Sequence, residues 1–321
     1  MSRYLCLLAL LLTCSRVAAQ EYPARAVRII VPYPPAGVTD IAARLVAQKL
    51  ADRWGQPVFA ENRPGAGAIV GVDAAAHAAP DGYTLLMVSG DFAAIHPYVY
   101  SKLPYKPDDL VPITMATDTP MVVVSSAASG IATVADLVAA AKARPGQITY
   151  GSVGQGTSNH LVGEWLASAL GVKLVHVPYR GGAPAATAVA AGEVALGVLA
   201  TSSAAPHVKS GKMKVLGLTN ARRIGETAQW PTLAESGVPA LRDFDTSIWV
   251  GVFAPAGTGR AIIDKVNADV NRALKDADVR ERLAGVGAQP VGSTPEALAA
   301  RIKHDAAFYG RIAREAGIRL D

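Results

Sequence analysis

The chain has 321 residues, half of them hydrophobic, with 31 Lys and Arg against 26 Asp and Glu. That length can bury a core without cross-links, and a net charge of +5 is too mild and too scattered to suggest a nucleic-acid surface. It suits at most a weak attraction for small anions.

Arg3, the apolar run Leu5–Leu12 and the small residues Val17-Ala18-Ala19 form a secretory leader pattern. Residues 1–19 are therefore assigned to a signal peptide and the mature start to Gln20, the apolar run being short for a membrane span. A second reading is a lipoprotein anchored at Cys14, although Thr13 stands where a smaller residue is usual. Cys6 and Cys14 both fall in this segment, so the mature chain is expected to have no disulfide and no thiol, and a net charge of about +3.

The rest reads as α/β. Val27–Val31 is a strand that empties into Pro32–Asp40, and a helix with Ile41, Ala42, Leu45, Val46 and Leu50 on one face follows an Asp40 cap. Pro57–Glu61 is a strand, Asn62–Gly67 a turn, and Ile69–Ala79 a helix halted by Pro80-Asp81-Gly82. Thr84–Val88 is the next strand, and three strands alternating with helices imply a parallel sheet. Met121–Ser125 is a strand, and Thr133 caps a helix that ends before Pro145-Gly146. Ile148–Gly151 is a strand, followed by a helix from Ser158 that Gly171 ends. Leu174–Val177 is a strand, and Pro184 and Gly192 bound a small-residue helix. Val194–Leu199, Met213–Leu218 and Ile248–Ala254 are strands. Helices Thr258–Leu274, Asp278–Gly285 and Ser293–Ala316 end the chain, the last with a Ser293-x-x-Glu296 capping box.

Two of these units share one build. A strand runs into small residues at Pro34–Asp40, and again at Gly151–Thr157, before a helix starts. Such a loop leaves backbone N–H groups free at the positive end of the helix dipole, a natural seat for an anion. Two seats about 115 residues apart suggest two lobes closing on one small acid. No linker divides the chain, so the lobes are expected to interleave, with residues 20–121 and 249–321 in the first and 122–248 in the second. The chain crosses near Met121–Ser125 and Ile248–Val252.

Other sites are less well supported. Gly151-x-x-Gly154-x-Gly156 is not a dinucleotide fingerprint, and Gly211-Lys212 lacks the rest of a P-loop. The six histidines (77, 96, 160, 176, 207 and 304) have no metal-ligand spacing, and neither Ser152 nor Ser158 sits in a nucleophile elbow. Ser89 and Asp91 follow a strand whose carboxyl end faces the crevice. Asp91 either caps a short helix, Phe92–Ile95, or lines the pocket, where it favours a ligand carrying an amine. Trp249 is either hinge core or a pocket wall. Arg180 is either a solvated turn residue or a bidentate partner for a second carboxylate.

The ordered markers VPYPPAG with Asp40 and Ala43-Arg44, Glu61–Gly67, Pro80–Leu85, Gly151-Ser152-x-Gly154-x-Gly156-Thr157 with His160-Leu161, Val177–Gly181, Trp230–Glu235 and Ala254–Thr258 resemble the Bug receptors, periplasmic solute-binding proteins of tripartite tricarboxylate transporters. Ala36 and Ala68 stand where glycine is usual in that pattern. The resemblance implies a two-lobed type II periplasmic-binding-protein fold, each lobe a mainly parallel sheet flanked by helices, closing on an organic acid. It places first-lobe contacts on Tyr33, Pro34, Pro35, Ala36, Gly37, Thr39 and Asp40. It places second-lobe contacts on Ser152, Gly154, Gly156 and Thr157, and on the turn of Tyr179, Arg180 and Gly181. It also implies a membrane permease as partner, a monomer in the periplasm, and no cofactor or metal. A ligand sensor on the same fold, and an α/β hydrolase, are the alternatives.

Overall fold

The computed structural model describes residues 22–223, 227–242 and 244–320; the leader and the mature start lie outside them. β1 (Val27–Val31) lies parallel to β2 (Val58–Asn62) and β3 (Thr84–Ser89). The connections are α1 (Val38–Trp54) and α2 (Ile69–Ala76). α1 buries Ala42, Ala43, Val46, Ala47 and Leu50 against Val27, Ile29 and Val31. Each large aliphatic side chain so buried contributes about 1.5–3 kcal/mol.

Two short helices, α3 (Asp91–Ala94) and α4 (His96–Val99), lead to β4 (Leu110–Ser126). This strand is the axis of the molecule, and it is far longer than the Met121–Ser125 expected from sequence. α5 (Val134–Ala143), β5 (Ile148–Ser152), α6 (Ser158–Ala169), β6 (Leu174–Pro178), α7 (Gly182–Ala191), β7 (Leu196–Ala200), α8 (Thr201–Lys209) and β8 (Met213–Leu218) follow. The chain returns in β9 (Ser247–Pro255) and finishes with α9 (Arg260–Ala273), α10 (Ala277–Ala284), β10 (Gln289–Pro290) and α11 (Pro295–Glu315).

From Leu110 to Pro120, β4 pairs antiparallel with β9; from Met121 onward it pairs with β7 and β8. The exchange of partners makes one curled sheet, in the order β2-β1-β3-β9-β4-β7-β5-β6. Beyond the exchange both faces of β4 are buried. Met121 and Val123 join one cluster with Leu161 and Leu196, while Val122 and Val124 join another with Ala185 and Val189.

α11 serves both halves. Leu298 packs with Trp249 and Phe253, whereas Tyr309, Ile312 and Ala313 pack with Ile148 and Leu161. Beyond it, Leu320 pairs with Tyr100.

Two caps differ from expectation. α1 begins at Val38, so Asp40 lies in its first turn and the N-cap is Gly37. α11 is capped by the Thr294 hydroxyl, which accepts the Ala297 N–H. Ser293 is drawn away by tertiary structure, its Oγ accepting the Met115 N–H at 2.9 Å. α8 was not read from the sequence, where Pro206 interrupts its pattern.

Candidate functional site

The carboxyl ends of β1 and β3 carry the first-lobe residues. Pro34, Pro35, Ala36 and Gly37 form an exposed loop, and Tyr33 turns back so that its Oη donates to Ser89 Oγ at 3.0 Å and accepts the Ser89 N–H at 3.3 Å. Ala36 has a left-handed φ of 69°, which a side chain disfavours by about 1–2 kcal/mol. Asp40 holds it there by accepting the Ala36 N–H at 2.9 Å. The same carboxylate accepts from Arg44 Nε at 3.0 Å and from Asn62 Nδ2 at 2.8 Å. Burial alone would raise the Asp40 carboxyl; the bonds from Arg44, Ala36 and Asn62 outweigh it and hold it below the usual carboxylate range. Asp40 thus positions the loop.

The seat itself is the start of α1. Its N-cap Gly37 has no side chain to offer, and the N–H groups of Val38, Thr39 and Asp40 are too early in the helix for an internal acceptor. Donors of that kind beside an exposed loop suit a carboxylate.

The second lobe departs from expectation. The Gly151–Thr157 loop uses two of its amides internally. Gly154 N–H donates to Ser152 Oγ at 3.2 Å, and Gly156 N–H donates to His160 Nδ1 at 3.2 Å. Thr157 is the N-cap of α6, its hydroxyl accepting the His160 N–H and donating to the Gly154 carbonyl at 2.8 Å. Gly156 has φ 70°, and a Cβ there would overlap Leu320. Polar side chains take up the Gly154 and Gly156 amides, which glycine spacing does not reveal.

Ser152 is fully buried, with Oγ 2.7 Å from His176 Nε2. The hydroxyl also lies 3.1 Å from the Gly154 carbonyl, to which it can donate. His160 and His176 stack with centroids 3.8 Å apart. Burial pushes both imidazoles down to about 4, and for His160 the neighbouring His176 adds to this.

Open N-termini lie instead at α7 and α8. α7 follows Gly181 and α8 follows Ala200, neither of which caps with a side chain. Gly181 N–H is used by the Val153 carbonyl at 3.2 Å, which leaves Gly182 and Ala183; in α8 the first-turn donors belong to Thr201, Ser202 and Ser203. Tyr179 N–H donates to the Ser152 carbonyl, and its ring lies beside Gly151. Arg180 is exposed on the turn. The α8 start was missed although Leu196–Ala200 runs into Thr-Ser-Ser, the same strand-to-helix build as the other two.

Asp91 makes no cap bond to its own helix, and its Oδ2 accepts the Ser158 N–H, at 3.4 Å, from the first turn of α6. Burial pushes its carboxyl up to about 6. Trp249 is core: its indole N–H donates to Asp305 Oδ2 at 2.7 Å, and a Cβ at Gly90 would overlap its ring.

No helix among the described residues is long and apolar enough to cross a membrane. Protein BugT of Bordetella pertussis is 37% identical over 306 residues, spanning 95% of this chain and 93% of BugT. A Rhodopseudomonas palustris protein solved with adipate superposes with a TM-score of 0.82 at 30% identity, over 93% of this chain and 99% of that one. MatC of the same organism, solved with bound malate, gives 0.78 at 29% identity, over 91% and 99%. Residues 42–318 match the family described as tripartite tricarboxylate transporter family receptor, and the chain belongs to that family of two-lobed periplasmic binding proteins.

Proposed function

We propose that this protein is a non-catalytic receptor that captures a small organic acid between two lobes, residues 20–121 with 249–321 and residues 122–248, and delivers it as a periplasmic monomer to a membrane permease. The observation that carries the reading is the start of α1, where three N–H groups stand uncapped beside an exposed loop. The open starts of α7 and α8 supply a second set of donors for the far end of the ligand. The adipate and malate held by the two R. palustris proteins support a dicarboxylate of four to six carbons.

Calorimetry and thermal melts with malate and adipate test this. Saturation at about 100 times Kd should stabilise the protein by about 2.7 kcal/mol. Gly37→Val should weaken binding at least about tenfold, near 1.4 kcal/mol, because the branched side chain shields the α1 amides. Folding should tolerate it, since the nearest atom to a Cβ at Gly37 is the Pro34 carbonyl oxygen at 3.9 Å. Unchanged melts across mono- and dicarboxylates would refute the acid receptor, and unchanged affinity in Gly37→Val would remove the α1 seat.

A further inference from the structure

Asp91 and Ser158 lie 67 positions apart, on opposite sides of the crossing, yet the Asp91 carboxylate accepts the Ser158 N–H. Ser158 is 3% exposed and is the first residue of α6. The neighbouring Ser158 and Ser89 side chains favour the ionised form of that carboxylate. Ser89 in turn is bonded twice to the Tyr33 phenol, which belongs to the first-lobe loop. Tyr33 and Ser89 thus sit beside the Asp91 contact with α6. Asp91 supplies there the negative charge that a helix N-terminus attracts.

We infer that Asp91 is a cross-lobe positioning residue: its carboxylate occupies the start of α6, holds the lobes together there, and excludes a ligand carboxylate from that seat. The consequence for recognition follows directly. A diacid can use α1 in one lobe and α7 or α8 in the other, but not α6. This consequence rests on the proposed acid-receptor function, whereas the latch itself is a property of the ligand-free protein.

Two substitutions remove the contact from opposite sides. Asp91→Ala deletes the acceptor. Ser158→Pro deletes the donor at the first helical position, where proline is well tolerated, and the preceding Thr157 already has the extended backbone that a following proline requires. Small-angle scattering of the ligand-free full chain should give a larger radius of gyration for each variant than for the wild type. The double variant should be no larger than either single one, because both remove one contact. An unchanged radius in both single variants, or additive increases in the double, would overturn the latch. Malate calorimetry on the same samples separates the two ideas. Each single variant should bind about tenfold more weakly, with the double no weaker. If malate and adipate fail to bind the wild type, the acid-receptor reading falls while the scattering still decides the latch.

Discussion

Acid should loosen this protein through two stacked histidines before it affects most carboxylates. His160 and His176 are neutral in the folded state because burial pushes both down to about 4 from an ordinary 6.5. A folded value below the unfolded one means that the stability is complete above pH 6.5 and is lost as pH falls toward 4. Each imidazole then costs about 1.4 kcal/mol per pH unit, so the pair removes about 3 kcal/mol between pH 7.5 and 5.5. His176 keeps an open edge and contributes the smaller share, while buried His96, pushed down to about 4 by burial, adds a similar drain elsewhere. Protonation at Nδ1 of His160 also removes the acceptor for Gly156 N–H, which loosens the loop before α6. Urea unfolding at pH 7.5, 6.5, 5.5 and 4.5 measures the slope. In His176→Asn the slope below pH 6.5 should fall by about one proton's worth, roughly 1.4 kcal/mol per pH unit at most. A wild-type free energy that is flat over this range, or an identical slope in the variant, would show that the rings are not buried neutral and would refute the reasoning.

Gly156→Val should unfold the protein more readily, by at least about 2 kcal/mol in urea melts, because a left-handed backbone and the Leu320 contact both exclude a side chain. A normal melt would refute this. Ala68→Gly should be neutral or stabilising by up to about 1 kcal/mol in the same assay, since Ala68 sits at φ 85° and glycine relieves the strain at some entropic cost. A loss of more than about 1 kcal/mol would mean that the Ala68 methyl contributes more by packing than its backbone strain costs.

The alternation of strands and helices was legible because β1, β3 and β9 are largely apolar runs buried on both faces, and because turn residues bound them. The family pattern was legible too, and it accounts for the fold. The length of β4 was not, since Pro112, Thr114, Thr117, Asp118, Thr119 and Pro120 hide a strand whose partner is more than a hundred residues away. In the site, the first-lobe loop was read as a run of small residues between a strand and a helix, which is a local property. The state of the second-lobe loop depends on His160 in the helix that follows it and on His176, Leu320 and Asp91, which reach it from other parts of the fold. Glycine spacing is blind to such partners. The two alanines in glycine positions turn out to share one physical trait, a positive φ, and the structure shows how Asp40 secures the first of them.

The division of helix starts gives an acidic ligand a way to strengthen the lobe contact that Asp91 already makes. α1 on one side, and α7 and α8 on the other, bring positive dipole ends to the carboxyl ends of their strands, each equivalent to roughly half a charge. Closing such ends on water alone costs their hydration while like poles approach. Under the proposed function an organic acid offsets both penalties, one carboxylate meeting α1 and the remainder of the molecule the opposite starts. Asp91 already does this for α6. It leaves the remaining starts to the ligand, so affinity should follow the number and spacing of a ligand's carboxylates more than the identity of any side chain in the loops.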